Sequence, residues 1–168
     1  MMEAEECPAS RLGLLVVDDE PLIRDVLRDL FVGDGYIVYA VADMAEAEEA
    51  LAKKRIAVAL VDLKLPETSG IDILDRIKRH DPAISVILMT GYPTIESVIE
   101  ALQHGACNYI IKPFRLHDLR EMVGRARNAF DQRSRSEFYR RRVDQLERFL
   151  RQRGLTVPAS ADSASVAP

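Results

Sequence analysis

Residues 14–20 read Leu-Leu-Val-Val-Asp-Asp-Glu, an apolar run that ends abruptly in three acids. A strand that stops in adjacent carboxylates gathers like charge at one edge of a sheet, and such charges repel unless a cation sits among them. The hard, oxygen-preferring ions Mg²⁺ and Mn²⁺ are the natural candidates. Three further apolar runs each end in a polar group: Ile56 to Val61 in Asp62, Val86 to Met89 in Thr90, and Tyr109 to Ile111 in Lys112-Pro113. Four strand-like runs thus hand their polar ends to what can be a single edge.

Segments of helical period separate the runs. Residues 22, 23, 26, 27, 30 and 31 form the i, i+3, i+4 stripe of an amphipathic helix over Pro21–Phe31, and Pro21 suits its first turn. Asp43 can cap a second helix, Met44–Lys54. A third covers Ile71–His80, and Asp81-Pro82 breaks it. Thr94 can cap a fourth, with a stripe of Ile95, Val98, Ile99 and Leu102. The strands between read as Arg11–Asp18, Tyr36–Ala42, Ile56–Asp62, Ser85–Met89 and Cys107–Ile111. Strict alternation with short connections predicts an α/β fold, a parallel sheet covered by helices on both faces. In such sheets the site lies at the carboxyl ends of the strands, where strand order reverses. Asp18, Asp19, Asp62, Thr90 and Lys112 all fall at carboxyl ends.

The bulk properties narrow the function classes. No apolar stretch approaches the roughly 18 residues of a membrane span, and the acidic N-terminus has no hydrophobic signal segment, so a cytoplasmic location without membrane contact is expected. Cys7 and Cys107 make neither a disulfide framework nor a metal-spaced cluster. Cys107 reads as a buried thiol, and His80 and His104 as helix-end histidines. Charge is uneven: residues 1–114 hold 11 Lys and Arg against 20 Asp and Glu, a net −9, whereas residues 115–153 are net +6. The expected organisation is a disordered N-terminus over 1–11, a domain over 12–130, a helical extension over 131–153 and a disordered Ala/Ser/Pro-rich tail over 154–168.

Taken together, four motifs resemble the receiver domain of two-component response regulators. They are Asp18-Asp19; Asp62 followed by Leu-Lys-Leu-Pro66 and Gly70; Met89-Thr90-Gly91; and Gly105-Ala106 with Tyr109-Ile-Ile-Lys112-Pro113-Phe114. The stretch from Met89 to Glu96 is most similar to the nitrogen-regulation subfamily. The resemblance implies a flavodoxin-like, doubly wound, five-stranded parallel sheet, (βα)5, here with an extended C-terminal helix. It implies that Asp62 accepts a phosphoryl group from a sensor histidine kinase or phosphotransfer protein. It implies an Mg²⁺ (or Mn²⁺) ion held directly by Asp19, by Asp18 through water or as an orienter, and by Asp62 and the backbone carbonyl of Lys64. Lys112 would pair with Asp62 and then with phosphoryl oxygens, Thr90 would offer a hydroxyl, and a cis bond would precede Pro113. Glu20 is either an accessory acid or an exposed residue before a helix. Tyr109 would be the switch partner of Thr90, signalling through helix 4, strand 5 and helix 5. The domain would be a phosphoacceptor and not an enzyme on other substrates.

Two other classes are disfavoured by the first loop. A flavodoxin needs a hydroxyl- and glycine-rich phosphate loop, where this chain has three acids. A haloacid-type phosphatase needs two aspartates one residue apart, and Asp18 and Asp19 are adjacent. A receiver that never takes phosphate would not need the acids, Thr90 and Lys112 together. Beyond Phe130, Tyr139, Val143, Leu146 and Leu150 form a short a,d stripe, which with helices 4 and 5 suggests a homodimer. No nucleic-acid reader is visible.

Overall fold

A computed structural model describes residues 12–152, without the side chains of residues 146, 149, 150 and 151. The expected disordered termini and Cys7 lie outside the described residues. The elements run β1 (Gly13–Val17), α1 (Pro21–Gly33), β2 (Ile37–Val41), α2 (Met44–Lys53), β3 (Ile56–Asp62), α3 (Gly70–His80), β4 (Ser85–Thr90), α4 (Ile95–Gln103), β5 (Asn108–Ile111) and α5 (Leu116–Gln152). All four strand pairings are parallel, in the order β2-β1-β3-β4-β5. This is the flavodoxin-like order, and its reversal point lies between β1 and β3.

Burial explains the apolar runs. Every residue of β1, β3 and β4 is buried, as strands covered on both faces require. The outer strands β2 and β5 are only partly covered. β1 is shorter than the expected Arg11–Asp18: its ladder starts at Gly13, where a Cβ would meet the Arg55 carbonyl oxygen at 2.9 Å. Asp18 lies past the strand, though its N–H still reaches the Val41 carbonyl at 3.2 Å.

The caps follow the local chemistry. Asp43 accepts the Glu46 N–H at 2.9 Å, as expected. α3 starts at Gly70, one residue before the expected Ile71, and Ser69 caps it by accepting the Ile71 N–H. Two helices bury less than their stripes suggest. In α1, Leu27 and Phe31 are buried but Leu22 and Val26 face solvent. In α4, Ala101 is the buried residue, while Ile95, Ile99 and Leu102 are 76%, 50% and 56% exposed. α4 lies beside the edge strand β5, which has too little surface to cover a full apolar stripe. Cys107 is exposed rather than buried.

The chain divides into two units, Met1–Gln132 and Arg133–Pro168. The first contains the sheet. Of the second, residues 133–152 are helical throughout, and Phe138, Tyr139 and Val143 are exposed. The Leu146 and Leu150 positions of the expected stripe lie outside the described side chains. No helix among the described residues is long and apolar enough to cross a membrane.

Candidate functional site

Among the described residues, four polar or charged ones are buried: Asp18, Asp62, Ser85 and Thr90. Ser85 has a structural partner, donating to the Ala126 carbonyl of α5 at 3.0 Å. The other three lie at the carboxyl ends of β1, β3 and β4, beside the reversal point. Burial of polar groups is costly unless they are partnered, and each of these is.

Lys112 supplies the central partner. Its Nζ donates to Asp18 Oδ2 at 2.8 Å and to Asp62 Oδ2 at 2.5 Å. The Lys112 N–H donates to the Thr90 carbonyl at 2.6 Å, extending the line of the β4–β5 ladder. The peptide bond from Lys112 to Pro113 is cis, as the family resemblance implies. Asp62 Oδ1 accepts the Lys64 N–H at 2.8 Å, and Asp18 Oδ1 accepts the Glu20 N–H at 2.9 Å. Each acid is therefore fixed by one backbone donor and one shared ammonium. Thr90 Oγ1 accepts the Tyr92 N–H at 3.1 Å, which leaves its hydroxyl hydrogen for another acceptor. The Lys64 ammonium stands over the Tyr92 ring, 4.5 Å from its centroid, a cation–π contact between the loops after β3 and β4.

Gly70 sets the loop after Asp62. A Cβ there would lie 2.3 Å from the Asp62 carbonyl oxygen and 2.7 Å from Leu63 Cα. The Gly70 N–H donates to the Leu63 carbonyl at 2.9 Å, and the Leu63 N–H to the Met89 carbonyl at 2.8 Å. The start of α3 is thereby drawn against the end of β3.

Burial, more than anything else, raises the Asp18 carboxyl above its ordinary value; hydrogen bonds from Lys112 and from the Glu20 N–H oppose the rise. For Lys112 burial again acts first, pulling it down, but its bonds to Asp18 and Asp62 outweigh that and leave it raised above 10.5. The stability from a raised lysine is fully present below its unfolded value and is lost as pH rises through the folded one. The urea midpoint of the wild type should therefore fall as pH rises above about 10.4, and Lys112→Met should lack that alkaline limb. Parallel alkaline limbs in the two proteins would contradict this linkage.

The residue set fits a hard cation. Asp18, Glu20 and Asp62 each bring a carboxylate oxygen to within 4.8 Å of the others, and clustered carboxylates with room for water are how Mg²⁺ is held. Glu20, undecided in the sequence, stands in this group, 3.8 Å from Lys112 Nζ. Asp19 does not: it is exposed, makes no hydrogen bond or ion pair among the described residues, and borders a cleft of about 600 Å³ between α2 and the loop before α3. Tyr109 bonds Ser97 of α4 at 3.0 Å. Sequence reasoning missed Ser97, although its spacing from Thr94 was the available signal for a capping box. His104 is more than a helix-end histidine: its Nδ1 lies 2.7 Å from Asp75 of α3, which raises its pKa.

Residues 14–124 match the response regulator receiver domain family. The chain is 36% identical over 110 residues to sporulation initiation phosphotransferase F of Bacillus subtilis (strain 168), covering 66% of this chain and 89% of that one. It is 37% identical over 111 residues to the DNA-binding transcriptional regulator NtrC of Escherichia coli (strain K12), covering 66% of this chain and 24% of that one. The chain thus spans only about a quarter of such longer relatives, and they are of the nitrogen-regulation type that the Met89–Glu96 stretch resembles. A similar solved structure is a CheY-like receiver domain protein of Methanospirillum hungatei JF-1, with a TM-score of 0.71 and 29% identity over 74% of this chain and 99% of that one. Another is the beryllofluoride-activated NtrC4 receiver domain dimer, with a TM-score of 0.67 and 27% identity over 70% and 98% of the two chains. With its fold, its strand-end acids and these similarities in agreement, the chain belongs to the receiver domain family of two-component response regulators, domains that are phosphorylated on an aspartate.

Proposed function

We propose that Asp62 is the phosphoacceptor and that its modification switches the face formed by α4, β5 and α5. The carrying observation is the Lys112 ammonium, which gathers Asp18 and Asp62 at the sheet's reversal point from 94 and 50 residues away in sequence. In the transfer, an Asp62 oxygen attacks the phosphorus of a phosphohistidine. The new P–O bond forms as the P–N bond breaks, and the imidazole leaves and takes up a proton. Such transfers depend on positioning and charge neutralisation more than on covalent help. Lys112 supplies a fixed positive charge, and the Thr90 hydroxyl hydrogen is available to a phosphoryl oxygen. The donor is a sensor histidine kinase or phosphotransfer protein. Acetyl phosphate with Mg²⁺ tests the reading: the intact mass should rise by one phosphoryl group, and a chain that takes none would refute it.

A bound Mg²⁺ would supply the remaining positive charge at this edge. Asp19 and Asp62, with the Lys64 carbonyl, are proposed as its direct protein ligands, and Asp18 as an orienter. Asp62 is supported by its place in the carboxylate cluster. The order of Asp19 before Asp18 is supported by the buried position of Asp18 between Lys112 and the Glu20 N–H, against an exposed Asp19 with no partner among the described residues. Asp19→Asn should therefore weaken Mg²⁺ binding more than Asp18→Asn does, the latter by about 10- to 100-fold as for outer partners of metal ligands. Metal titrations of both variants and of Glu20→Gln decide the order. If Glu20→Gln shows the largest loss, Glu20 takes the place assigned to Asp19.

The exposed apolar residues Ile95, Ile99 and Leu102 on α4, with Ile111 at the end of β5, form the kind of surface that marks a protein contact. A second copy of this chain is the proposed occupant, as in the NtrC4 receiver dimer. Sedimentation should show a shift from monomer to dimer on adding beryllofluoride and Mg²⁺, weakened by Tyr109→Ala. An unchanged assembly state would assign the face to a different partner.

A further inference from the structure

Ser97 lies in the first turn of α4, and its hydroxyl makes three contacts. It accepts the Thr94 N–H at 3.1 Å, donates to the Thr94 carbonyl at 2.9 Å, and lies 3.0 Å from the Tyr109 hydroxyl. Thr94 Oγ1 returns the bond by accepting the Ser97 N–H at 3.1 Å, completing a capping box. A serine hydroxyl has one hydrogen and two lone pairs. Its hydrogen is engaged by the Thr94 carbonyl, so Tyr109 is the donor and fills the second lone pair. The cap of α4 and the ring of Tyr109 on β5 are therefore one hydrogen-bonded unit.

Apolar burial holds α4 weakly, since Ala101 is its one buried residue. Polar contacts fasten it at both ends. At the C-terminal end, His104 Nδ1 meets Asp75 at 2.7 Å, and the Ala106 N–H returns to the Ala101 carbonyl at 2.9 Å. These groups lie away from the phosphoacceptor edge. The N-terminal fastening reaches that edge through β5: Tyr109 stands two residues before Ile111, the ladder partner of Thr90.

We propose that Ser97 is a positioning residue that latches Tyr109 outward and holds the first turns of α4 in place. Rotation of the ring towards Thr90 breaks the Tyr109–Ser97 bond and frees the N-terminal half of α4. The end near His104 stays fastened and acts as the pivot. Ile95 and Ile99 then move more than Leu102, so the exposed apolar face changes shape rather than merely shifting. The inference deepens the switch reading above and rests on Tyr109 being its moving part.

Hydrogen-exchange mass spectrometry on the full chain tests it. Tyr109→Phe is the decisive variant, because it keeps the ring and the whole capping box and removes one hydrogen bond. Losing a bond of ordinary strength should speed exchange at Ser97 to Ile99 about fivefold in the unphosphorylated protein. Ser97→Ala should speed it more, because the cap is lost as well, and the double variant should exchange no faster than Ser97→Ala alone. Beryllofluoride and Mg²⁺ should speed the same amides in the wild type and leave residues 101–104 slow. Unchanged exchange in Tyr109→Phe, or additive effects in the double variant, would overturn the latch. Phosphoryl uptake is read by intact mass on the same samples. A wild type that takes no phosphoryl group would refute the phosphoacceptor reading, while the comparison of unmodified proteins would still decide the latch.

Discussion

Asp62→Asn is expected to abolish phosphoryl uptake while leaving the fold intact. The asparagine keeps the shape of the side chain, and its amide oxygen can still accept the Lys64 N–H that Asp62 Oδ1 accepts at 2.8 Å. What disappears is the anion facing Lys112 Nζ at 2.5 Å. An amide NH₂ is a donor only, so it can neither attack phosphorus nor receive the ammonium. Removing one of three neighbouring carboxylates also relieves their repulsion, which offsets the lost ion pair. Intact-mass spectra after acetyl phosphate and Mg²⁺ should show no modified species for the variant, with an unchanged circular dichroism spectrum. Undiminished labelling would move the acceptor elsewhere.

Gly70→Ala should be the most damaging of the glycine-to-alanine substitutions among the described residues. A Cβ at 2.3 Å from the Asp62 carbonyl oxygen meets backbone, which no rotamer change relieves. Either α3 or the end of β3 must move, and β3 is buried along its whole length. Overpacking of this kind costs about 3 kcal/mol, a fall in Tm of about 10 °C for a domain of this size. Asp62 itself would be displaced, so labelling should slow as well. Gly124→Ala is the control with the opposite sign. It lies within α5 with nothing within 4 Å of its Cβ position, so it should stabilise the protein by about 1 kcal/mol through helix propensity. Calorimetry of the two variants decides; equal shifts would show that the close approach at Gly70 is relieved at little cost.

The sheet was legible because β1, β3 and β4 are covered on both faces and must be apolar throughout. Their ends were equally plain, since Asp18, Asp62 and Thr90 interrupt those runs where solvent or a ligand is reached. The caps at Asp43 and Thr94 were local and therefore visible. Periodicity failed on α1 and α4. Leu22, Val26, Ile95, Ile99 and Leu102 fit an apolar stripe, yet they face solvent, because spacing reports which residues share a face and not what covers it. The Ser97–Tyr109 and His104–Asp75 pairs were hidden for another reason: they join different elements, and only the parallel register brings those elements together. Glu20 could be placed beside Asp18 and Asp62 only once the turn after β1 was known, since adjacent carboxylates point in different directions.

The most direct test of the central claim identifies the modified residue chemically. After labelling with acetyl phosphate and Mg²⁺, borohydride reduction converts an aspartyl phosphate to homoserine and releases phosphate, and peptide sequencing locates it. Homoserine at position 62, with unmodified aspartate at 18 and 19, is the predicted result. Homoserine at another position, or labelled protein that yields none, would contradict the assignment of Asp62 as the acceptor.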